Sequence, residues 1–279
     1  RQAGPRRYGW ASYLFLQRDP VDVALCPEQR GLILLRRAGQ ALGVERQRGG
    51  RRADGDRFGN TWVIADKVTQ AEHVVAVGFY GDSVDIACNY RGGWDVFGPE
   101  REVTRSSGNV LYTLDGQPAL ALYRKYLGDR AGELPAAGLL FPLAIRNELE
   151  ADGLTVRTIL AINEADQSIT FAGDIPQGSF VRMMRANRDR LIDGATDAAG
   201  GIAETLSNGN HKLCIAISCI GRRLVLGQRC DEEIEAVLDT LPAPCSLIGY
   251  YSYGELSPLS SGRCDLHNQT MTLTLIREV

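Results

Sequence analysis

Between Cys264 and Thr270 the chain carries a thiol, a carboxylate, an imidazole, a carboxamide and a hydroxyl, at Cys264, Asp265, His267, Asn268 and Thr270. Glu255 stands before them, behind the aromatic run Tyr250, Tyr251 and Tyr253, and a carboxylate there must be solvated, paired or bound to something. Upstream, Arg222 follows Cys219-Ile-Gly at the end of an apolar run. Its guanidinium could meet a ligand carboxylate through two parallel hydrogen bonds while Glu255 accepts an ammonium group, the pair forming an amino-acid clamp. The structural alternative is a salt bridge from Arg222 to Glu255 or Asp231, with Asp265, His267 and Asn268 bonded to loop backbone.

Other chemistries are open to the same residues. His267 is of the type that ligates haem iron, and Cys264-X-X-His267 with Cys219 or Cys214 offers zinc-ligand types. No second close ligand pair has structural-zinc spacing, and there is no Cys-X-X-Cys-His for covalent haem attachment. Cys219 and His267 would suit a nucleophile and its base, yet Gly-X-Ser-X-Gly, Gly-X-Gly-X-X-Gly and the P-loop are missing, so no catalytic residue is assigned. His73 and His211 read as structural, and Trp94 and Phe97 as core plugs.

These groups need elements to hold them. A buried strand begins at Ser246 and continues through the tyrosines, a loop carries Pro258, Ser260, Ser261 and Gly262, and 271–276 alternates with period two. The two strands are expected to pair as a hairpin whose connected ends rim a site. The nearly continuous apolar run 212–218 predicts a strand covered on both faces. Helices are expected at 118–127, opened by Pro118 and closed by Gly128; at 187–206, capped by Asn187 and interrupted at Gly200-Gly201; and over most of 224–241. Asp231, Glu232 and Glu233 lie in an early turn of the last, where the helix dipole favours acids.

Strands are expected at 14–16, 61–65, 73–80, 83–88, 102–105, 109–114, 156–162, 168–171 and 180–184, with turns at Gly81-Asp82, Asp115-Gly116, 163–167 and 175–178. Residues 31–42 read as a helix, and 91–99 as too rich in glycine and aromatics for a regular element. Antiparallel pairs mixed with strand–helix–strand crossovers predict an α/β protein of mixed, antiparallel-rich sheets flanked by helices.

The 279 residues are 44% hydrophobic and 23% charged, the composition of a globular protein with a substantial core. No apolar run approaches the ~18 residues of a membrane span, and no signal-peptide pattern opens the chain. Seven cysteines, mostly in apolar settings, fit reduced thiols. A cytoplasmic protein is therefore expected. Residues 1–57 hold twelve Arg, no Lys and six acidic residues, so this segment is +6 and the remainder −9 against the overall −3. The basic segment lacks interleaved aromatics and the acidic remainder would repel phosphates, which argues against a nucleic-acid partner.

From residue 61 onward a series of motifs resembles, in order, the FIST family of bacterial sensory proteins. They are Gly92-Gly-Trp-Asp-Val-Phe-Gly-Pro-Glu-Arg-Glu-Val-Thr-Arg105, the stretch from Asn109 to Gly128, Leu140-Phe-Pro-Leu143, Phe171-Ala-Gly-Asp-Ile-Pro-Gln-Gly178, Ser218-Cys-Ile-Gly-Arg222, Gly249-Tyr-Tyr-Ser-Tyr-Gly-Glu255 and Leu266-His-Asn-Gln-Thr270. The resemblance implies two related halves framing a site for a small, amino-acid-like ligand, and a non-enzymatic sensor. Its output is expected to pass to another chain: a histidine kinase, a chemoreceptor or a cyclic-nucleotide enzyme.

Stand-alone members with the Gly-Gly-Trp-Asp pattern also resemble haem-binding nitric oxide sensors, for which His267 is the candidate ligand. A non-catalytic interaction scaffold is the third reading. The candidate ligand contacts are Cys219, Arg222, Tyr251, Tyr253, Glu255, His267 and Asn268, together with Arg105 and Asn109 from the matched stretches. The expected division is an atypical Arg-rich remnant at 1–55, the C-terminal part of a first domain at 56–116 and a second domain at 117–279.

Overall fold

A computed structural model describes residues 12–16, 31–37, 63–65, 68–70, 74–80, 84–146, 154–206, 211–258 and 264–278. The chain opens with β1 (Ser12–Leu16), β2 (Gly31–Arg37), β3 (Val63–Ala65), β4 (Val68–Gln70) and β5 (Val74–Tyr80). β5 lies between β1 and β2, antiparallel to both. The helix expected from residue 31 is instead β2, because the run Gly-Leu-Ile-Leu-Leu-Arg-Arg finds a seven-residue register with β5. Pairing across the chain overrides a local helical reading. The turn expected at Gly81-Asp82 lies outside the described residues.

β6 (Val84–Arg91), β7 (Asp95–Ser107), β8 (Val110–Leu114) and β9 (Gln117–Pro118) lead into α1 (Ala119–Leu127). There follow β10 (Leu143–Arg146), β11 (Leu154–Arg157), β12 (Ile159–Asn163), β13 (Ser168–Phe171) and β14 (Phe180–Arg185). β7 to β14 form an eight-stranded sheet in the order β11-β10-β14-β7-β8-β13-β12, with β9 beside β8. The glycine-rich stretch expected to be irregular is strand on both sides of a short break at 92–94, with β7 running thirteen residues. Register shifts along β7 absorb that length and let one strand serve both halves of the curled sheet. α1 closes its concave side, burying Leu120, Leu122, Tyr123 and Leu127 against Val103, Leu111, Ile169 and Phe171. Each such side chain contributes about 1.5–3 kcal/mol.

The rest of the chain is α2 (Arg188–Thr205), β15 (Lys212–Cys219), α3 (Ile220–Leu226), α4 (Cys230–Thr240), β16 (Cys245–Ser252), β17 (Glu255–Pro258), β18 (Cys264–His267) and β19 (Met271–Glu278). β16 and β19 are not the expected hairpin. β15 lies between them, parallel to β16 and antiparallel to β19, and β6 completes a four-stranded sheet in the order β16-β15-β19-β6. β15 is the most apolar strand of the segment and takes the central place, where its hydrogen bonds are all covered.

α2 starts where Asn187 accepts from the backbone N–H groups of Asp189 (3.1 Å) and Arg190 (3.5 Å). It runs unbroken through Gly200-Gly201, because Ala195, Ala198, Ala199 and Ile202 bury one face on the four-stranded sheet. Gly201 is there for closeness: a Cβ would lie 2.2 Å from Asn89 Nδ2. Among the described residues no helix is long and apolar enough to cross a membrane.

Candidate functional site

The break at Gly92-Gly93-Trp94 carries the chain from the four-stranded sheet to the eight-stranded one, and α2 passes directly across it. Gly93 adopts φ +75°, and a Cβ there would lie 2.0 Å from the carbonyl oxygen of Arg190. On the helix side, a Cβ on Gly194 would lie 3.0 Å from Gly93 Cα. The two backbones touch only because both positions are glycine.

Arg222 holds this crossing from beneath. It is wholly buried, and its guanidinium donates to Glu233 Oε1 through Nε (2.7 Å), to the carbonyls of Gly92 and Gln269, and to the carbonyl of Leu191 (2.7 Å). A second nitrogen lies 2.6 Å from Glu233 Oε1, and Ser218 Oγ donates to Glu233 Oε2 at 3.0 Å. The carbonyl of Gln269, which has φ +64°, also accepts from Trp94 Nε1 at 3.0 Å. One cation thus ties the glycine break, α2, α4 and the segment before β19 together.

Above this staple lies a cavity of about 290 Å³. Its walls are Tyr90 and Arg91 from the end of β6, the Gly92–Trp94 break, Leu154 and Val156 of β11, Met184 of β14, Arg190, Asp193, Gly194 and Asp197 of α2, and His267 and Thr270. Met184 and Trp94 are buried and the rim is charged. Asn89 sets the rim's geometry. Its Oδ1 accepts from the Arg91 guanidinium at 3.1 Å, and its Nδ2 donates to the α2 carbonyls of Ala198 (3.2 Å) and Asp197 (3.5 Å). Arg190 lies 3.5 Å from Asp95 and 3.9 Å from Asp193. The Arg91 guanidinium also donates to the Tyr90 carbonyl at 2.8 Å, but among the described residues Arg91 has no carboxylate partner and Asp197 no cationic one, so a positive and a negative charge without salt-bridge partners flank the mouth.

Below, Glu255 is buried and accepts from Ser252 Oγ (2.6 Å) and from the Thr270 hydroxyl (3.0 Å) and backbone N–H (3.4 Å). The Cys219 thiol donates to it as well. Burial outweighs these bonds and pushes the carboxyl up to about 7. Glu255 faces His267 across the β17–β18 ribbon, and Thr270 connects it to the cavity wall.

Of the nine residues singled out from sequence, the cavity takes in His267 alone. Arg222 and Glu255 do not face each other across a ligand. Arg222 pairs with Glu233, and Glu255 is enclosed by hydroxyl and thiol donors, because both lie in the core behind the wall. Cys219 is buried and its thiol is pushed up, first by that burial, so it is not an activated nucleophile. Asn268 is buried and donates to the carbonyl of His267 at 3.1 Å. Tyr251 is half-buried under the Arg223 guanidinium (4.9 Å from the ring), and burial raises its hydroxyl to about 12. Tyr253 is half-buried beyond the lining. Arg105, on β7, lies over the Tyr112 ring at 4.4 Å, and Asn109, in the turn between β7 and β8, donates to the Phe171 carbonyl at 2.7 Å.

The candidate haem ligand is engaged within the protein: the His267 ring lies 4.2 Å from the Tyr90 ring and its Nε2 is 3.4 Å from the Ser257 carbonyl. Among the described residues no three His, Cys, Asp or Glu side chains gather to hold a metal ion, and the side chain of Cys264 lies outside the description. Sequence reasoning missed Arg91, Asp193, Asp197, Leu154, Val156 and Met184. The signal for two of them was the i, i+4 spacing of Asp193 and Asp197 on one face of a capped helix, flanking a glycine.

Residues 119–258, half of the chain, match the FIST C domain, and residues 34–117 match the FIST N domain. No curated protein and no solved structure matches the chain.

Proposed function

The chain belongs to the FIST family, whose domains are sensory modules of signal transduction, and we propose that it senses a small amino-acid-like zwitterion in the cavity between β6, α2 and β11. The observation that carries this reading is the unmatched charge pair at the mouth. Arg91 presents a guanidinium to a carboxylate and Asp197 a carboxylate to an ammonium, while Asn89 bonds the Arg91 guanidinium and the main-chain carbonyl of Asp197. A concave, mostly apolar chamber with a few convergent polar groups is the usual form of a small-ligand site.

The lining comes from both the four-stranded and the eight-stranded sheet, so a bound ligand favours the arrangement in which the two close on it. A histidine kinase, chemoreceptor or cyclic-nucleotide enzyme would read that shift in population. Titration calorimetry of the purified chain against free amino acids tests the reading. Saturable one-to-one binding that needs both the carboxylate and the ammonium is expected. Equal binding of the matching amine or carboxylic acid would overturn it.

A further inference from the structure

Resting on the head-group reading above, we infer that the ligand is a single amino acid with an apolar side chain. Inward of the charged mouth the chamber is bounded by Trp94, Leu154, Val156 and Met184. Trp94 spends its one polar atom on the Gln269 carbonyl, and Met184 belongs to the buried cluster that joins β11 to α3. The polar side chains beside them, Thr270, His267 and Tyr90, have partners as well. The Thr270 hydroxyl donates to Glu255, and His267 is held between the Tyr90 ring and the Ser257 carbonyl. Arg190 and Asp193 stand at the rim within reach of each other.

A ligand side chain entering past the mouth therefore meets mostly carbon and sulfur, with no unpaired carboxylate or guanidinium beyond the head-group pair to serve as counter-ion for a lysine, arginine, aspartate or glutamate. Burying such a charge unpaired is prohibitive, whereas burying methylenes is favourable. The volume, about 290 Å³, lies at the lower end of small-ligand pockets and suits one residue better than a peptide.

The test is a homologous ligand series titrated into the native full chain: glycine, alanine, 2-aminobutyrate, norvaline and norleucine, with lysine and glutamate alongside. Affinity is expected to rise about fourfold with each added methylene until the chamber is full, and lysine and glutamate are expected to bind more weakly than norleucine. Binding that stays level along the series, or favours lysine or glutamate, overturns this inference and leaves the head-group reading standing. No binding by any member overturns both.

Discussion

Glu233 Oε1 lies 2.6 Å from a guanidinium nitrogen of Arg222, and neither side chain is exposed to solvent. A buried ion pair contributes little net stability, because desolvating both charges offsets their attraction. Removing one partner is different, since the other charge stays buried alone. Glu233→Gln and Arg222→Met are each expected to lower unfolding free energy by about 3–5 kcal/mol, and the double variant by much less than the sum. Urea unfolding of the four proteins measures this. Additive losses would show that the two side chains act independently.

The glycines of α2 are expected to diverge. At Gly200 a Cβ meets nothing within 4 Å, so Gly200→Ala should gain up to about 1 kcal/mol from helix propensity alone. At Gly194 the same methyl would crowd Gly93 Cα at 3.0 Å and push the helix off the cavity wall. Gly194→Ala should lose that gain and weaken ligand binding about tenfold or more. Thermal melts and calorimetry on the two variants separate propensity from contact; equal behaviour would show that the crossing is not tight.

Much of the fold was legible because it rests on local pattern. The period-two run of β19, the Asn187 cap and the apolar β15 all name their elements directly. What sequence could not supply was partnership. β16 and β19 look like neighbours in the chain, yet β15 inserts between them, and β2 reads as helix until β5 is there to pair with it. The candidate site shifted for the same reason. Arg222 and Glu255 look like binding groups because they are charged residues beside strands, and only the packing reveals that they lie behind the cavity. The groups at its mouth, Arg91 and Asp197, are 106 positions apart in the chain; the packing of α2 on the four-stranded sheet brings them together, with Asn89 bonded to both segments.

If Arg91 and Asp197 hold the ligand's head group, neutralising either should remove a charge-assisted contact worth roughly 1.5–3 kcal/mol, or about 10- to 100-fold in affinity. Arg91→Gln and Asp197→Asn are expected to do this with melting temperatures close to native, since both lie at the surface or part-exposed. Asp193→Asn should have a smaller effect, because Arg190 already stands 3.9 Å away. Comparable losses from all three would point to a general field at the mouth instead of a paired clamp.

Glu255 makes the chain's stability depend on pH in an unusual direction. Its carboxyl, ordinarily near 4.5, is pushed up to about 7 by burial. Between those values the native chain keeps a proton that the unfolded chain has released, so stability falls as pH rises and the loss is complete above about 7. At 1.36 kcal/mol per unit the difference is about 3 kcal/mol. Glu255→Gln carries no titrating group, and the Ser252 and Thr270 hydroxyls can turn to accept from its amide. The variant should therefore gain on the native protein as pH rises from about 5 to about 8, by roughly that 3 kcal/mol. Paired urea titrations across the range would measure the gap. A gap that stays constant with pH would mean that Glu255 keeps its charge in the native state, held there by the donors of Ser252, Thr270 and Cys219.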